Sequence, residues 1–263
     1  MSLLLRADRV SKAFGGVQAL SDCTVEVGEG TITGLIGPNG SGKTTLFNVI
    51  TGYERVDAGD VYVGRRKITN APPERAFAMG IGRTFQLTRI FPRLTVMENM
   101  LIATQLRDHG PGNERHRMRN PLARAGGAAA QGHATELLEF TGIATHATAL
   151  AGTLSYGQRK LLELAYVLVA DPVIVLLDEP TGGVNPSLIN HISDRIRELN
   201  RLGTTFLIVE HNMEFVMGLC HGVTVLDSGT VVAAGPPDII KGDPRVLDAY
   251  LGTAEEDDDT DAQ

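Results

Sequence analysis

Apolar and polar residues alternate over 3–10 and again over 20–27, the period-two pattern of half-buried strands, with Phe14, Gly15 and Gly16 as a loop between them. Glu29 and Gly30 mark a turn before an apolar, strand-like run over 32–36. A helix-like apolar run follows at 46–50. Residues 57–60 read as a turn before a short strand over 61–63, and the prolines at 72 and 73 start a helix. Residues 81–85 read as a strand ending at Gln86. The spacing then changes to that of helices. Residues 95–106 begin with Thr95 and Glu98 three apart, a capping-box pattern. Residues 109–132, rich in Gly, Ala, Arg and Pro, read as a long loop or irregular insertion. Helical spacing resumes at 136–140 and is strong over 155–169. Buried strands are predicted at 173–177 and 205–209, with a helix over 186–202 between them that stops at Gly203. A hairpin of 223–226 and 230–234 turns through Asp227, Ser228 and Gly229. Two short helices, near 238–241 and 245–251, end the pattern. No internal repeat is visible. The order is a β-rich start, an α/β core, a helical insertion over about 87–170 and a return to strands.

Composition adds limits. The 263 residues are enough for one large α/β domain or two small ones, and an apolar share of 43% is ordinary for a globular protein with a real core. The net charge of −7 is local: six acids, Glu255 to Asp259 and Asp261, lie in the last nine residues, and without them it falls to −1. A nearly neutral body argues against nucleic acid as a partner. The tail over 253–263, a run of like charges with nothing to bury, reads as disordered. Cys23 and Cys220 have neither metal nor disulfide spacing, as expected of a reduced cytosolic protein. The N-terminus shows no signal-peptide pattern, and no run of about eighteen uncharged apolar residues occurs, so the chain is expected to dock on a membrane at most.

Chemistry enters at Gly37, Pro38, Asn39, Gly40, Ser41, Gly42, Lys43, Thr44 and Thr45, which read G-x-x-x-x-G-K-[ST] between the strand at 32–36 and the helix at 46–50. Glycines leave backbone N–H groups free to wrap phosphate oxygens, and the helix N-terminus adds partial positive charge. Lys43 would reach the β- and γ-phosphates of ATP, and the Thr44 hydroxyl would ligate Mg²⁺. A chance glycine-rich turn would lack the lysine, the hydroxyl and both flanks.

The apolar strand before Asp178 and Glu179 ends in two acids. Strand ends often carry solvated charge. In a chain that already has a phosphate loop, Asp178 can hold Mg²⁺ and Glu179 can polarise the attacking water. Ser155, Tyr156, Gly157 and Gln158 open the strong helix, with Ser155 as N-cap, and form a second anion-binding candidate. Taken alone they read as a capped helix start. His211 follows the strand at 205–209, at an end where open α/β sheets bind ligands, and can hydrogen-bond a γ-phosphate or the water. Gln86 sits at another such end and can sense the same metal and water. Phe14 can stack on adenine, although a single Phe is more often core.

In that order, Phe14, the 37–45 loop, Gln86, 154–158, Asp178 with Glu179, Asn185 and His211 resemble the nucleotide-binding domain of ABC transporters. The resemblance implies the α/β fold of a P-loop NTPase, with an N-terminal antiparallel β subdomain and an inserted helical subdomain, over residues 1–252. It also implies a dimer, homomeric or heteromeric, in which Ser155 to Gln158 of one subunit cap the γ-phosphate held by the other. The finer resemblance is to ATP-binding subunits of branched-chain amino acid importers, through 82–86, 89–91, 94–99, 154–158, 178–186 and 249–252. Tyr156, where Gly is usual, and Asn185, where Asp is usual, are departures shared with that subgroup.

The implied protein is a peripheral ATPase on the cytoplasmic face of the inner membrane. It would drive polytopic permease subunits, and through them an extracytoplasmic solute-binding protein. Residues 87–94 are the candidate permease contact. ATPases of lipid or lipopolysaccharide exporters resemble the importer subunits closely. Soluble ABC proteins acting on ribosomes or DNA usually carry two cassettes or long coiled coils, and this chain has one cassette and no sustained heptads. The resemblance does not explain 107–132, where Arg107, Arg115, Arg117, Arg119 and Arg124 outnumber Asp108 and Glu114. It reads as a solvated loop or as a face for anionic lipid.

Overall fold

The computed structural model describes residues 2–84, 90–107 and 130–251, without the side chains of 105–107 and 251. The expectations placed on Phe85, Gln86, 87–89, 109–129 and 253–263 lie outside the described residues. In chain order the elements are β1 (Leu3–Phe14), β2 (Val17–Gly28), β3 (Ile32–Ile36), α1 (Lys43–Ile50), β4 (Ala58–Val63), β5 (Arg66–Lys67) and α2 (Pro73–Ala78). Then follow β6 (Ile81–Arg83), α3 (Val96–Arg107), α4 (Ala130–Thr141), α5 (Tyr156–Leu168), β7 (Ile174–Asp178) and α6 (Pro186–Arg201). The last are β8 (Thr205–Val209), α7 (Met213–Leu219), β9 (Gly222–Asp227), β10 (Thr230–Gly235), α8 (Pro237–Lys241) and α9 (Pro244–Leu251).

The chain divides into two compact units. One holds the described residues of Met1–Arg75 and Leu207–Gln263, the other those of Ala76–Phe206. In the first unit β2, β1, β4 and β5 form an antiparallel sheet in that order. Gly15 and Gly16, both at positive φ, turn the β1–β2 hairpin, and Phe14 pairs with Val17. Phe14 therefore ends a strand; the loop expected at 14–16 is a two-residue turn. The residues expected to turn at 57–60 are mostly strand, because β4 begins at Ala58. Gly59 makes this possible. At φ 85° it passes the irregular stretch of β1 at Arg9 so closely that a Cβ would overlap the Arg9 carbonyl. Beside this sheet, β9 runs parallel to β3 and antiparallel to β10, and β8 lies next to β3. All five residues of β3 are buried, as are those of β8, which is why neither strand alternates with charged positions.

In the second unit β6 pairs in parallel with β7, which is also buried throughout. Helices α3, α4 and α5 pack on one another around Met100, Leu137, Leu138, Leu162 and Ala165. The capping box of α3 is formed: Glu98 N–H donates to Thr95 Oγ1 at 3.1 Å, and Thr95 N–H to Glu98 Oε2 at 2.7 Å. Asn99, fully buried, donates to the Phe91 and Thr95 carbonyls and accepts from Phe91 N–H, which fastens 91–95 to α3. Helix α4 begins at Ala130, six residues before the expected start, and takes in Gly132. Helix α7 was not anticipated. No described helix is long and apolar enough to cross a membrane.

Cys23 and Cys220 are buried free thiols, each pushed up to about 12 by burial, Cys23 also by the Asp22 charge. Both are expected to resist iodoacetamide at pH 8 in the folded protein and to react after unfolding in urea, as read by mass spectrometry.

Candidate active site

The phosphate loop is built inside the first unit. Strand β3 ends at Ile36, and the chain reaches α1 with Gly42 as its N-cap at φ 102°. Gly37 and Gly40 also have positive φ, at 149° and 76°. Gly37 has a second reason to be glycine, since a Cβ there would overlap the Leu226 carbonyl of β9. A Cβ on Gly42 would lie 2.5 Å from the Ala19 carbonyl, so the loop rests on β2 two residues beyond Val17, the partner of Phe14. Gly229, in the β9–β10 turn, donates its N–H to the Ser41 carbonyl at 3.1 Å and braces the loop from the other side.

Lys43 is buried, and its Nζ donates to the Gly37 and Pro38 carbonyls at 2.8 and 2.6 Å and to Ser41 Oγ at 3.2 Å. The loop thus curls around an ammonium at the mouth of a helix with no acid in its first turn. Asn39, Gly40 and Thr44 are exposed around it, while Thr45 is half-buried. A triphosphate meets here backbone N–H groups, a helix N-terminus and a fixed cation, so the residues fit the group.

Phe14 is half-exposed, with Lys12 Nζ 4.9 Å from its ring centre. An exposed ring at a strand end is free to stack and is not core. His211 is exposed beyond the end of β8. The buried Glu210 carboxylate accepts the backbone N–H of His211 at 3.0 Å and of Asn212 at 3.2 Å, and Asn212 caps α7. These bonds fix the turn from which His211 projects.

The second unit carries the acids. Asp178 ends β7 and is buried, its N–H donating to Thr84 Oγ1 at 3.2 Å. Burial raises its carboxyl above the ordinary carboxylate range, and the Arg83 guanidinium, 3.3 Å away, opposes that rise. Glu179 is half-buried with φ 47°, a left-handed conformation rare outside glycine. Its carbonyl accepts from Gly182 N–H at 3.2 Å and from Lys160 Nζ at 3.3 Å.

Ser155 caps α5 in a full capping box with Gln158, whose amide also meets His146 Nε2 at 2.9 Å. Ser155 and Tyr156 are exposed. Gly157 allows a close approach, but the one visible is packing, since a Cβ would overlap Leu188 of α6. Asn185 caps α6, its Oδ1 accepting from Leu188 N–H at 2.9 Å. An Asp would cap equally well, so the Asn preserves the local structure.

Mg²⁺ is held by one or two carboxylates together with phosphate oxygens and water. Among the described residues no cluster of three acidic, His or Cys side chains forms a ready metal cage. Thr44 in the first unit and Asp178 in the second each carry a hard oxygen donor, and Gln86 lies outside the described residues.

Three contributors escaped the sequence reading. Arg83 pairs with Asp178, Lys160 meets Glu179, and Tyr250, in α9, is a half-buried phenol raised by burial and opposed by a backbone hydrogen bond at Gly37. A signal existed for Lys160, a charge at helical spacing from Gly157 and Leu164 on the inner face of α5.

Known proteins match this chain over most of its length. The family model described as ABC transporter matches residues 20–182, and that of the branched-chain amino acid ATP-binding cassette transporter matches 230–256. The high-affinity branched-chain amino acid transport ATP-binding protein LivG of Salmonella typhimurium is 38% identical over 252 residues, 95% of this chain and 98% of the relative. BraF of Pseudomonas aeruginosa, described in the same words, is 34% identical with the same coverage. The crystal structure of the ADP conformation of MJ1267, an ATP-binding cassette of an ABC transporter, superposes with TM-score 0.81 at 34% identity, covering 96% of this chain and all of that one. A dimeric bacterial cassette, MJ0796, shares the fold at TM-score 0.76 and 24% identity, over 89% of this chain and 99% of its own. The chain belongs to the ABC transporter family, as one of its ATP-binding cassettes.

Proposed function

We propose that this cassette hydrolyses ATP to drive an importer of branched-chain amino acids or similar small polar solutes. The observation that carries the chemistry is Lys43, held by the Gly37 and Pro38 carbonyls at the mouth of α1. Its ammonium would exchange part of that bonding for β- and γ-phosphate oxygens. Phe14 would stack on the adenine. Thr44, Asp178 and Gln86 would hold Mg²⁺, which when bound neutralises charge on the β- and γ-phosphates. Glu179 would take the proton of the attacking water, and His211 would hold the γ-phosphate in line. The released groups are ADP and inorganic phosphate.

Two cassettes would act together, identical or different, as in the dimeric MJ0796 structure. Ser155 to Gln158 of one would cap the γ-phosphate of the other, and Asn185 would lie in the loop that couples the two sites. The chain, 1–252 forming the ATPase domain, would sit on the cytoplasmic face of the inner membrane against polytopic permeases. It would serve an extracytoplasmic solute-binding protein through them, with no nucleic acid partner. Residues 87–94 are the proposed permease contact. A hollow of about 280 Å³ supports this, with Ile90, Phe91, Glu163, Tyr166 and Val167 in its wall. Phe91 is 46% exposed there, an apolar ring available to a partner.

Two substitutions test the chemistry. Glu179→Gln is expected to keep ATP affinity while kcat falls about 10²–10⁴-fold, since an amide cannot act as the base. Full-rate turnover would remove Glu179 from the role. Lys43→Ala is expected to weaken ATP binding at least about tenfold by fluorescent-nucleotide titration, and to abolish uptake of labelled leucine by cells that depend on this cassette. Normal ATP affinity would refute the phosphate-loop assignment. Lost affinity with normal leucine uptake would refute the solute assignment.

A further inference from the structure

Glu179 is held in a conformation its own chemistry disfavours. A non-glycine residue at φ 47° is strained by about 1–2 kcal/mol. The next residue is Pro180, and residues before proline prefer extended backbone. Such strain persists only where the surroundings hold it. Two donors meet the Glu179 carbonyl. Gly182 N–H, at 3.2 Å, closes the turn from within. Lys160 Nζ, at 3.3 Å, comes from α5, a separate element.

We infer that Lys160 is a positioning residue for hydrolysis, fixing the left-handed turn that aims the Glu179 carboxylate. The inference rests on the reading of Glu179 as the base. The Lys160 side chain is only 5% exposed, so its ammonium is not a solvated surface charge. It lies 3.9 Å from Glu163 Oε2, three residues along the same helix, and 5.6 Å from the centre of the Tyr156 ring. These neighbours direct it toward the Glu179 carbonyl, and a charged donor makes about twice the bond of a neutral one. A cavity of about 20 Å³ beside Lys160 and Glu163, walled by Thr84, Leu177 and Pro180, is room for no more than a single water. Lys160 also stands five residues after Ser155, so the helix that begins the second anion site holds the base as well. Loss of the ammonium frees the turn to relax and swings the carboxylate away. The phosphate loop belongs to another segment, so ATP affinity is unaffected.

The test uses the full chain with Lys160→Met and Lys160→Arg, each alone and in the Glu179→Gln background. Lys160→Met is expected to lower kcat at least about tenfold with KM and equilibrium ATP affinity changed less than about twofold. Lys160→Arg, which keeps a charged donor, is expected to recover kcat to within about threefold of the parent. In the Glu179→Gln background Lys160→Met is expected to add no further loss, because the two residues act on one step. Wild-type kcat in Lys160→Met would overturn the inference, as would an undiminished loss in the Glu179→Gln background. If the methionine variant does not fold, Lys160→Arg decides. Retained kcat supports the inference, and a loss above about tenfold at unchanged ATP affinity contradicts it. Full turnover by Glu179→Gln itself would mean that the base reading had failed. An inactive Glu179→Gln beside a fully active Lys160→Met would mean that this inference alone had failed.

Discussion

A lysine ammonium enclosed by its own backbone is the constraint from which the phosphate loop follows. The Gly37 and Pro38 carbonyls can turn inward onto Lys43 only because Gly37, Gly40 and Gly42 adopt positive φ. Only bare backbone fits between the Leu226 carbonyl on one side and the Ala19 carbonyl on the other. The strands and turns around the loop serve this arrangement. Strand β3 delivers it, β2 and β9 press on its glycines, and Gly229 ties down Ser41. Phosphate recognition is therefore a property of main chain held by tertiary packing, with one side chain supplying the charge.

The acid end solves a different problem. Burial opposes the charge of the Asp178 carboxylate, and the Arg83 guanidinium supplies the compensation. Glu179 sits in a strained turn at φ 47°, its carbonyl met by Gly182 N–H and Lys160 Nζ. Both solutions depend on residues outside the motif. The same holds for the departures from the wider family pattern. Tyr156 is where a Cβ on Gly183 would come within 3.2 Å of its ring, and Asn185 caps α6 as an Asp would. These substitutions keep the joint between α5 and α6 packed and capped.

Much of this was legible in the sequence because periodicity and capping are local. The strands β3, β7 and β8, the capping box at Thr95, the N-cap at Ser155, and the stop of α6 before Gly203 follow from residues within a few positions of each other. Helix α7 was missed because it has seven residues, too few for a period to show. Its one signal was Asn212 as N-cap. The early start of α4 was hidden by Gly132, a residue that normally lowers helix propensity. The strand character of 58–60 depends on an irregularity in β1 near Arg9, a partner some fifty residues away. Arg83 and Tyr250 lie in stretches that carry the resemblance and Lys160 does not, but the contacts of all three were hidden, because each meets a residue brought to it by the fold.

A cassette of this kind is expected to turn ATP binding and hydrolysis into work on membrane-embedded permeases. The most direct measurement is to capture the tagged Glu179→Gln protein with ATP from solubilised membranes and to identify its companions by mass spectrometry. The account predicts polytopic permease subunits and a second cassette, identical or different, retained with ATP and released when Lys43 is also replaced. Ribosomal or DNA-repair proteins with no integral membrane protein would contradict it and leave only the ATPase chemistry.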